Sequence, residues 1–357
     1  MGVLRRILVF RALQVGDMLC AVPALRALRL AFPTTHITLA GLPWASHFVR
    51  RFACYIDEFI AFPGHPQLPE QPADVQRYEN FLASVSAMDF DLVLQMHGSG
   101  EISNAIVARC NARFFAGFVR DAQREAGSAV SGLTRSAFLP YPDHGHEAER
   151  LLTLARFVGA ASNDASLEFP ITSEDLHELA LREPWCESGT GKPHSLKPHR
   201  YVCIHPGARD RAKCWPAEHF ARVADCLSAE TGLDVVLTGS AAEHDLAEAV
   251  IARMHRPAIN AACDISLGAL AALLRDARLL VCNDTGVSHI AEALRLPSVV
   301  IFRRADMARW APANRQLHSV VFDPTGSNIY TVIESTRAVL NDVIPRETLH
   351  SVVPRPD

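Results

Sequence analysis

Three short segments of the chain combine residue types that suit phosphate binding or proton transfer. In the segment NDTGVSH, residues 283–289, an apolar run gives way to a capping residue, a glycine and a helical pattern. Free N–H groups and the positive end of the helix dipole make such a helix start a natural phosphate site. Gly286 lets the backbone approach a ligand closely, and His289 follows one turn later. The alternative is an ordinary capped helix with a solvated histidine.

The second segment is HPGARDRAKCWP, residues 205–216, which follows a predicted strand. It brings together three cations, Arg209, Arg211 and Lys213. Cations at the carboxyl end of a strand suit a diphosphate group. A solvated basic loop is the alternative.

The third segment is Gly16-Asp17, where an apolar strand gives way to a helix. A carboxylate at this place has two possible roles. Asp17 could cap the N-terminus of the helix, or it could act as a general base that takes a proton from a substrate.

Weaker patterns point to other chemistry. HGSGEIS, residues 97–103, is half of a dinucleotide fingerprint and would suit a nicotinamide cofactor. DFD, residues 89–91, could hold a metal ion with a nucleotide sugar, but it precedes a strand instead of following one. HGH, residues 144–146, could ligate a metal, but no third ligand is near in sequence. We therefore expect no bound metal and no nicotinamide.

Short apolar runs alternate with helical patterns along the whole chain, which is typical of parallel sheets with helices on both faces. Strands are predicted at residues 6–10, 36–41, 91–97, 201–205, 234–239, 278–284 and 298–302, and helices at 17–31, 101–110, 216–232, 241–254, 266–277, 286–296 and 329–344.

The pattern predicts two doubly wound α/β domains that face each other across a cleft. Open sheets of this class bind ligands outside the carboxyl ends of their strands. The best linker, at 186–200, is rich in Gly, Ser, Pro and Lys. The predicted divisions are a first domain at 1–185, the linker at 186–200, a second domain at 201–328 and a C-terminal helix at 329–357 that packs back toward the first domain.

Composition limits the class of protein. With 357 residues and 49% hydrophobic content the chain can bury two cores, and a formal net charge of -4 does not indicate a nucleic-acid binder. The 9 cysteines include no C-x-x-C, which suits reduced thiols in the cytoplasm. No apolar run reaches the ~20 residues of a membrane span. We expect a cytoplasmic protein, with peripheral contact to the inner membrane left open.

Four segments together resemble glycosyltransferase family 9, the ADP-heptose:lipopolysaccharide heptosyltransferases. Their order and spacing are much more specific than any one of them, and the resemblance covers nearly the whole chain. The segments are VGDMLCAVPALRALRLAFP at 15–33, IHPGARDRAKCWPAEHF at 204–220, LTGSAAEHDLA at 237–247 and LLVCNDTGVSHIAEALRLPSVVIF at 279–302.

The resemblance implies a GT-B fold, two Rossmann-like domains, and inverting transfer that needs no bound metal. It implies that the first domain, 1–185, binds the acceptor and that the second, 201–328, binds the nucleotide sugar. It implies that Asp17 is the catalytic base, that Lys213 contacts donor phosphate and that Glu243 contacts the ribose of the nucleotide. The donor would be a nucleotide sugar, ADP-heptose, and the acceptor a lipopolysaccharide or lipooligosaccharide core or another surface glycan. The implied donor-binding residues are Gly16, Gly207, Arg209, Lys213, Glu243, Asp284, Thr285, Gly286 and His289.

The acceptor side is predicted by position alone. A lipopolysaccharide core is anionic and should meet cations in the first domain. The candidates are Arg109, Arg113, Arg120 and Arg124, for which solvated surface arginines are the alternative.

The sequence departs from the family pattern after SVVIF. The family usually continues with a glycine, a proline and a Thr-Asp-Pro, whereas this chain continues RRADMARWAP at 303–312. Arg303 and Arg304 would either add cations for phosphate or change which donor fits. Two other functions stay open: a GT-B sugar-nucleotide epimerase, which needs no acceptor, and a nucleotide-sugar-binding protein without catalysis.

Overall fold

The computed structural model describes residues 4–120, 136–186 and 188–343. The chain divides into two compact units, Met1–Pro170 and Ile171–Asp357. Within the described residues, each unit is built on one six-stranded parallel sheet.

The first unit orders its strands β3-β2-β1-β4-β5-β6. The strands are β1 Arg6–Phe10, β2 His36–Gly41, β3 Glu58–Ala61, β4 Phe90–Gln95, β5 Ala112–Val119 and β6 Ser136–Pro140. The helices are α1 Val15–Ala31, α2 Ala45–Arg51, α3 Val75–Ser86, α4 Ser103–Val107 and α5 Glu147–Phe157.

The second unit repeats this topology. A small antiparallel pair, β7 Trp185–Cys186 and β8 Pro193–His194, precedes a sheet in the order β11-β10-β9-β12-β13-β14. Its strands are β9 Tyr201–His205, β10 Asp234–Gly239, β11 Ile259–Ala262, β12 Leu280–Asn283, β13 Ser298–Phe302 and β14 His318–Phe322. Its helices are α6 Ser173–Ala180, α7 Ala217–Thr231, α8 His244–Ile251, α9 Leu267–Arg275, α10 Gly286–Ala293, α11 Met307–Trp310 and α12 Ile329–Val343.

The order of the strands fixes where each sheet can bind a ligand. In the first unit the chain moves from β1 outward to β3, then returns to β4 on the other side of β1. The second unit makes the same reversal between β9 and β12. At such a switch point the loops after the two central strands diverge and leave a crevice. In each unit, candidate residues follow the two strands at the switch.

The observed division of the chain differs from the predicted one. Helix α6 packs on α9, and β7 lies against β11, so residues 171–185 belong to the second unit. The predicted linker at 186–200 also lies in this unit and contains β8, where His194 Nε2 lies 2.9 Å from Asp234 Oδ2. Gly, Ser and Pro mark this segment because it forms surface turns.

The last described helix packs inside the second unit. Helix α12 lies against β13, β14 and α7, and it contributes Val332 and Ile333 to the core of that unit. The predicted packing toward the first domain stays a prediction. Among the described helices, none has the length and apolar character needed to cross a membrane.

Candidate active site

An ion pair joins two of the predicted loops at the switch point of the second unit. Lys213 ends a short 3-10 turn, Arg211–Lys213, which the Asp210 side chain caps by accepting from the N–H of Ala212. The Lys213 Nζ lies 2.7 Å from Asp284 Oδ2, just beyond the end of β12. The Lys213 side chain is 33% exposed and that of Asp284 only 6%. The cation is therefore held in place but still open to solvent.

Helix α10 begins directly after this carboxylate. The Thr285 hydroxyl accepts a hydrogen bond from the N–H of Val287 at 3.3 Å, and Gly286 is the first helical residue. The predicted capped start is thus confirmed. His289, in contrast, is buried rather than solvated, with its ring 6.3 Å from the Trp310 ring and its Nδ1 3.8 Å from Glu292 Oε2. Its contact with a donor stays a prediction.

Gly207 and Glu243, both predicted to bind the donor, lie in contact. A Cβ at Gly207 would lie 1.9 Å from Glu243 Oε1, so no larger residue fits without moving the carboxylate. Glu243 Oε2 accepts hydrogen bonds from the N–H and the hydroxyl of Ser240, each at 2.8 Å. Oε2 of this carboxylate therefore caps the short 3-10 turn Ala241–Glu243, and Oε1 lies next to the Cα of Gly207.

The contacts that hold the basic loop were not predicted from the sequence. The Asn283 side chain accepts from the N–H of Trp215 at 2.9 Å and donates to the carbonyl of Pro206 at 2.8 Å. The Trp215 indole N–H donates to Asp323 Oδ2 at 2.7 Å. Arg303 donates to carbonyl groups of the same loop. Arg209 and Arg211 lie on its exposed surface.

In the first unit, Asp17 is the third residue of α1 and is half-buried. Among the residues the structure describes, its carboxylate makes no hydrogen bond and no ion pair. The capping role is therefore not observed, although the carboxylate lies in the first helical turn after Gly16. A half-buried carboxylate without a partner is suited to accept a proton from a ligand.

A buried ion pair fixes the backbone at Asp17, and the sequence interpretation missed it. The Arg11 guanidinium donates to the carbonyl of Asp17 at 3.0 and 2.8 Å, and also to the carbonyl of Met96. Its charge is balanced by Glu147 Oε1 at 3.1 Å. Both side chains are almost completely buried. The one available signal was an arginine at the end of an apolar strand, at the switch point.

His97 follows β4 on the other side of the same switch point. Its Nδ1 accepts from the N–H of Ala12 at 3.2 Å, and its ring stacks on Phe10 at 5.6 Å between centroids. Burial, together with the positive charge of Arg11, lowers the pKa of His97 to about 3. The ring is therefore neutral at physiological pH. Its Nε2 lies 3.8 Å from Glu70 Oε1.

The candidate acceptor arginines fall on two different edges of the first sheet. Arg113 lies at the start of β5 and pairs with Asp91 at 3.2 Å, and Arg109 precedes it and pairs with Glu79 at 3.3 Å. This is the amino edge, away from Asp17, so the structure does not support their acceptor role. Arg120 follows β5 at the carboxyl edge, 3.7 Å from Asp143. Arg124 lies outside the described residues.

The weaker motifs have structural roles. Asp91 accepts from the backbone N–H groups of Arg5 and Arg6; burial raises its pKa, but these hydrogen bonds and Arg113 outweigh burial and hold the pKa below its usual value. A Cβ at Gly100 would collide with the Phe118 carbonyl at 2.2 Å, so this glycine serves close packing. His146 caps α5. Within residues 4–120, 136–186 and 188–343, no group of three or more His, Cys, Asp or Glu side chains could hold a metal ion.

Comparison with known structures shows the class of fold. The chain is similar to a glycosyltransferase family 9 structure from Veillonella parvula (TM-score 0.74, 21% identity, 95% of this chain and 98% of that one). It is also similar to the E. coli ADP-heptose lps heptosyltransferase II (TM-score 0.71, 19% identity, 95% and 99%). Two Rossmann-like α/β domains of the GT-B type are thereby confirmed.

Sequence comparison shows the family. The model of glycosyltransferase family 9 (heptosyltransferase) matches residues 79–331. Lipopolysaccharide heptosyltransferase 3 of Escherichia coli K12 is 26% identical over 307 residues, 83% of this chain and 82% of the relative. The chain belongs to glycosyltransferase family 9, as the four sequence segments indicated, and it is a glycosyltransferase.

Proposed function

We propose that this protein transfers a heptose, with inversion, from ADP-heptose to an anionic glycan acceptor of the lipopolysaccharide core type. The observation that carries the proposal is the half-buried Asp17 carboxylate, which has no partner within the described residues and whose backbone is clamped by Arg11. A general base needs this availability and this fixed position. The heptosyltransferase relatives support the choice of sugar and acceptor.

In this proposal the reaction is a single displacement. The Asp17 carboxylate takes the proton of the acceptor hydroxyl, and the hydroxyl oxygen attacks the anomeric carbon of the donor sugar. The bond from that carbon to the diphosphate oxygen breaks, its electron pair leaves with the diphosphate, and the configuration inverts. The base must lie within ~3 Å of the acceptor oxygen as the proton moves.

The second unit stabilises the departing diphosphate. The Lys213 ammonium and the N–H groups at the start of α10 supply positive potential where negative charge develops. In the free protein Asp284 neutralises this ammonium at 2.7 Å, so the donor phosphate competes with a carboxylate for Lys213. Gly207, Arg209, Glu243 and Thr285 complete the proposed donor site, with Glu243 on the ribose. No bound metal takes part in this mechanism.

On the acceptor side we propose Arg120 as a contact for anionic groups of the glycolipid, because it alone of the described candidates follows a carboxyl strand end. Such an acceptor is anchored in a membrane. We therefore propose a cytoplasmic enzyme with peripheral contact to the inner membrane.

The test is release of the nucleoside diphosphate from a panel of ADP-, GDP- and UDP-sugars, with and without lipopolysaccharide core acceptor. We expect release of ADP from ADP-heptose that depends on the acceptor. Interconversion of the sugar nucleotide without acceptor would instead indicate an epimerase. Binding without turnover under either condition would indicate a nucleotide-sugar-binding protein. Failure to bind any of the donors would rule out the proposal.

A further inference from the structure

Arg303 lies where the chain departs from the family pattern, directly after β13. Its Nη1 donates to the carbonyl of Cys214 at 2.8 Å and lies 3.5 Å from the carbonyl of Ala212. Its Nη2 donates to the carbonyl of Pro324 at 3.3 Å. One guanidinium thus connects two loops at the carboxyl edge of the second sheet.

The two carbonyls that meet Nη1 flank Lys213 on both sides. The turn that carries Lys213 is also capped by Asp210 and closed by two backbone hydrogen bonds, from the N–H of Lys213 to the carbonyl of Asp210 at 2.9 Å and from the N–H of Cys214 to that of Arg211 at 3.1 Å. These bonds lie within the turn, whereas Arg303 ties it to the loop after β14. A charged donor to a carbonyl forms a stronger hydrogen bond than a neutral donor does. The planar fork of arginine can also bind two loops at fixed angles, which an ammonium cannot do.

We propose that Arg303 is a positioning residue, which holds the backbone around Lys213 so that its ammonium meets the diphosphate of the donor. This inference rests on the proposed function, in which Lys213 contacts donor phosphate. It replaces both hypotheses that the sequence raised for Arg303, since the guanidinium directs Nη1 and Nη2 at backbone carbonyls. A small residue at this place would leave the turn without the clamp.

Arg304 is the matched control. It is adjacent in sequence and carries the same charge, but it is exposed, and its side chain makes no hydrogen bond or ion pair within the described residues. If positive charge near the donor were what mattered, removal of either arginine would weaken binding. If position matters, only Arg303 is required.

The experiment measures the affinity for ADP by titration calorimetry in the wild type, R303M, R303K, R304M, K213M and the double variant R303M/K213M. We expect about tenfold weaker binding for R303M, a smaller loss for R303K and no loss for R304M. Because Arg303 acts through Lys213, the double variant should bind ADP no more weakly than K213M does. In steady-state kinetics with varied donor, R303M should raise KM for the donor and change kcat much less.

The outcomes separate this inference from the function on which it rests. Wild-type affinity in R303M, together with weakened binding in K213M, would overturn the role of Arg303 alone. The role of Arg303 would also be overturned if the loss of ADP affinity in R303M/K213M equalled the product of the losses in the two single variants. Wild-type affinity in K213M, or no ADP binding by the wild type, would overturn the donor role of Lys213 and this inference with it. If R303M does not fold, R303K and R304M carry the same comparison, and faster hydrogen exchange of the Lys213 amide in R303K is expected.

Discussion

The two units share one topology, but the charged group that is accessible to solvent at its switch point differs in sign between them. In the second unit the loops after β9 and β12 present Lys213 and the N–H groups of a helix start. In the first unit the loop after β1 presents the Asp17 carboxylate. Topology therefore fixes where a ligand binds, and the residue types at the strand ends decide the chemistry. One sheet is suited to hold an anion, and the other to accept a proton.

The cations of the two units also differ in how they are neutralised. The Arg11 side chain is 1% exposed and directs its charge at Glu147 and backbone carbonyls, whereas Lys213 pairs with Asp284 while 33% exposed. A buried charge that loses its partner is costly, so Arg11 cannot readily turn to a ligand. A partly exposed pair gains less and can exchange partners. This contrast suits Arg11 to a structural role, and it is consistent with the ligand-binding role proposed for Lys213.

The largest expected effect comes from Asp17→Asn, which keeps the shape of the side chain but removes the base. General-base catalysis typically contributes 10²–10⁴-fold, so we expect kcat to fall by about that factor. The affinity for ADP should stay unchanged, because the proposed phosphate contacts, Lys213 and the start of α10, lie in the other unit. Steady-state kinetics with calorimetry checks both. Full turnover with a lowered Tm would instead indicate that the Asp17 side chain serves stability and not catalysis.

Breaking the buried pair should mainly affect stability. Glu147→Gln leaves the Arg11 charge without a counterion, and we expect the free energy of unfolding to fall by about 3–5 kcal/mol. Arg113→Met, which breaks the exposed pair with Asp91, is the matched control and should cost about 1 kcal/mol or less. Urea denaturation measures both. Equal losses would show that burial does not distinguish the two pairs.

Whether a feature of the fold or of the candidate site could be predicted from the sequence depends on how far apart its residues lie along the chain. Features within one segment were predicted well: the buried strand β9, the capped start of α10 and the basic loop before Trp215. Pairs such as Lys213 with Asp284, or Arg11 with Glu147, are 71 and 136 residues apart. Only the fold brings them together, since a strand order cannot be deduced from local periodicity.

The acceptor arginines illustrate the same limit. Strand β5 was not predicted, because its run ARFFAGFV directly follows a helical pattern and contains a glycine. Without that strand, Arg113 could not be assigned to the amino edge or Arg120 to the carboxyl edge. The composition of the segment at 186–200 was likewise correct for surface turns but did not mark the boundary between the units.

A smaller effect, confined to the second unit, is expected from Gly207→Ala. The new Cβ would come within 1.9 Å of Glu243 Oε1 and would therefore displace the carboxylate. We expect about tenfold weaker ADP binding, with kcat at saturating donor little changed. In an E243A background the same substitution should cost nothing further, because the clash is gone. A full additional loss there would place the effect of Gly207 elsewhere.

The smallest effect concerns pH and compares one buried histidine from each unit. Burial lowers the pKa of His97 to about 3 and that of His318 to about 4, from a usual value near 6.5. Below pH 6.5 the unfolded chain therefore binds protons that the folded chain does not, and stability falls as pH falls. The slope is at most about 1.4 kcal/mol per pH unit for each histidine.

The window from pH 6.5 to 5 separates histidines from carboxylates, most of which stay ionised there. Burial also lowers the pKa of His205 in the second unit, so His318→Asn should remove only part of the slope of that unit. His97→Asn keeps an acceptor for the N–H of Ala12 and should reduce the pH dependence of unfolding in the first unit only. The His318 ring is hydrogen-bonded to the Ser298 hydroxyl at 2.8 Å. His318→Asn should reduce the pH dependence of unfolding in the second unit. Hydrogen exchange resolved along the chain distinguishes the units. An unchanged slope in His97→Asn would mean that this ring already takes up its proton in the folded state, which contradicts its burial beside Arg11.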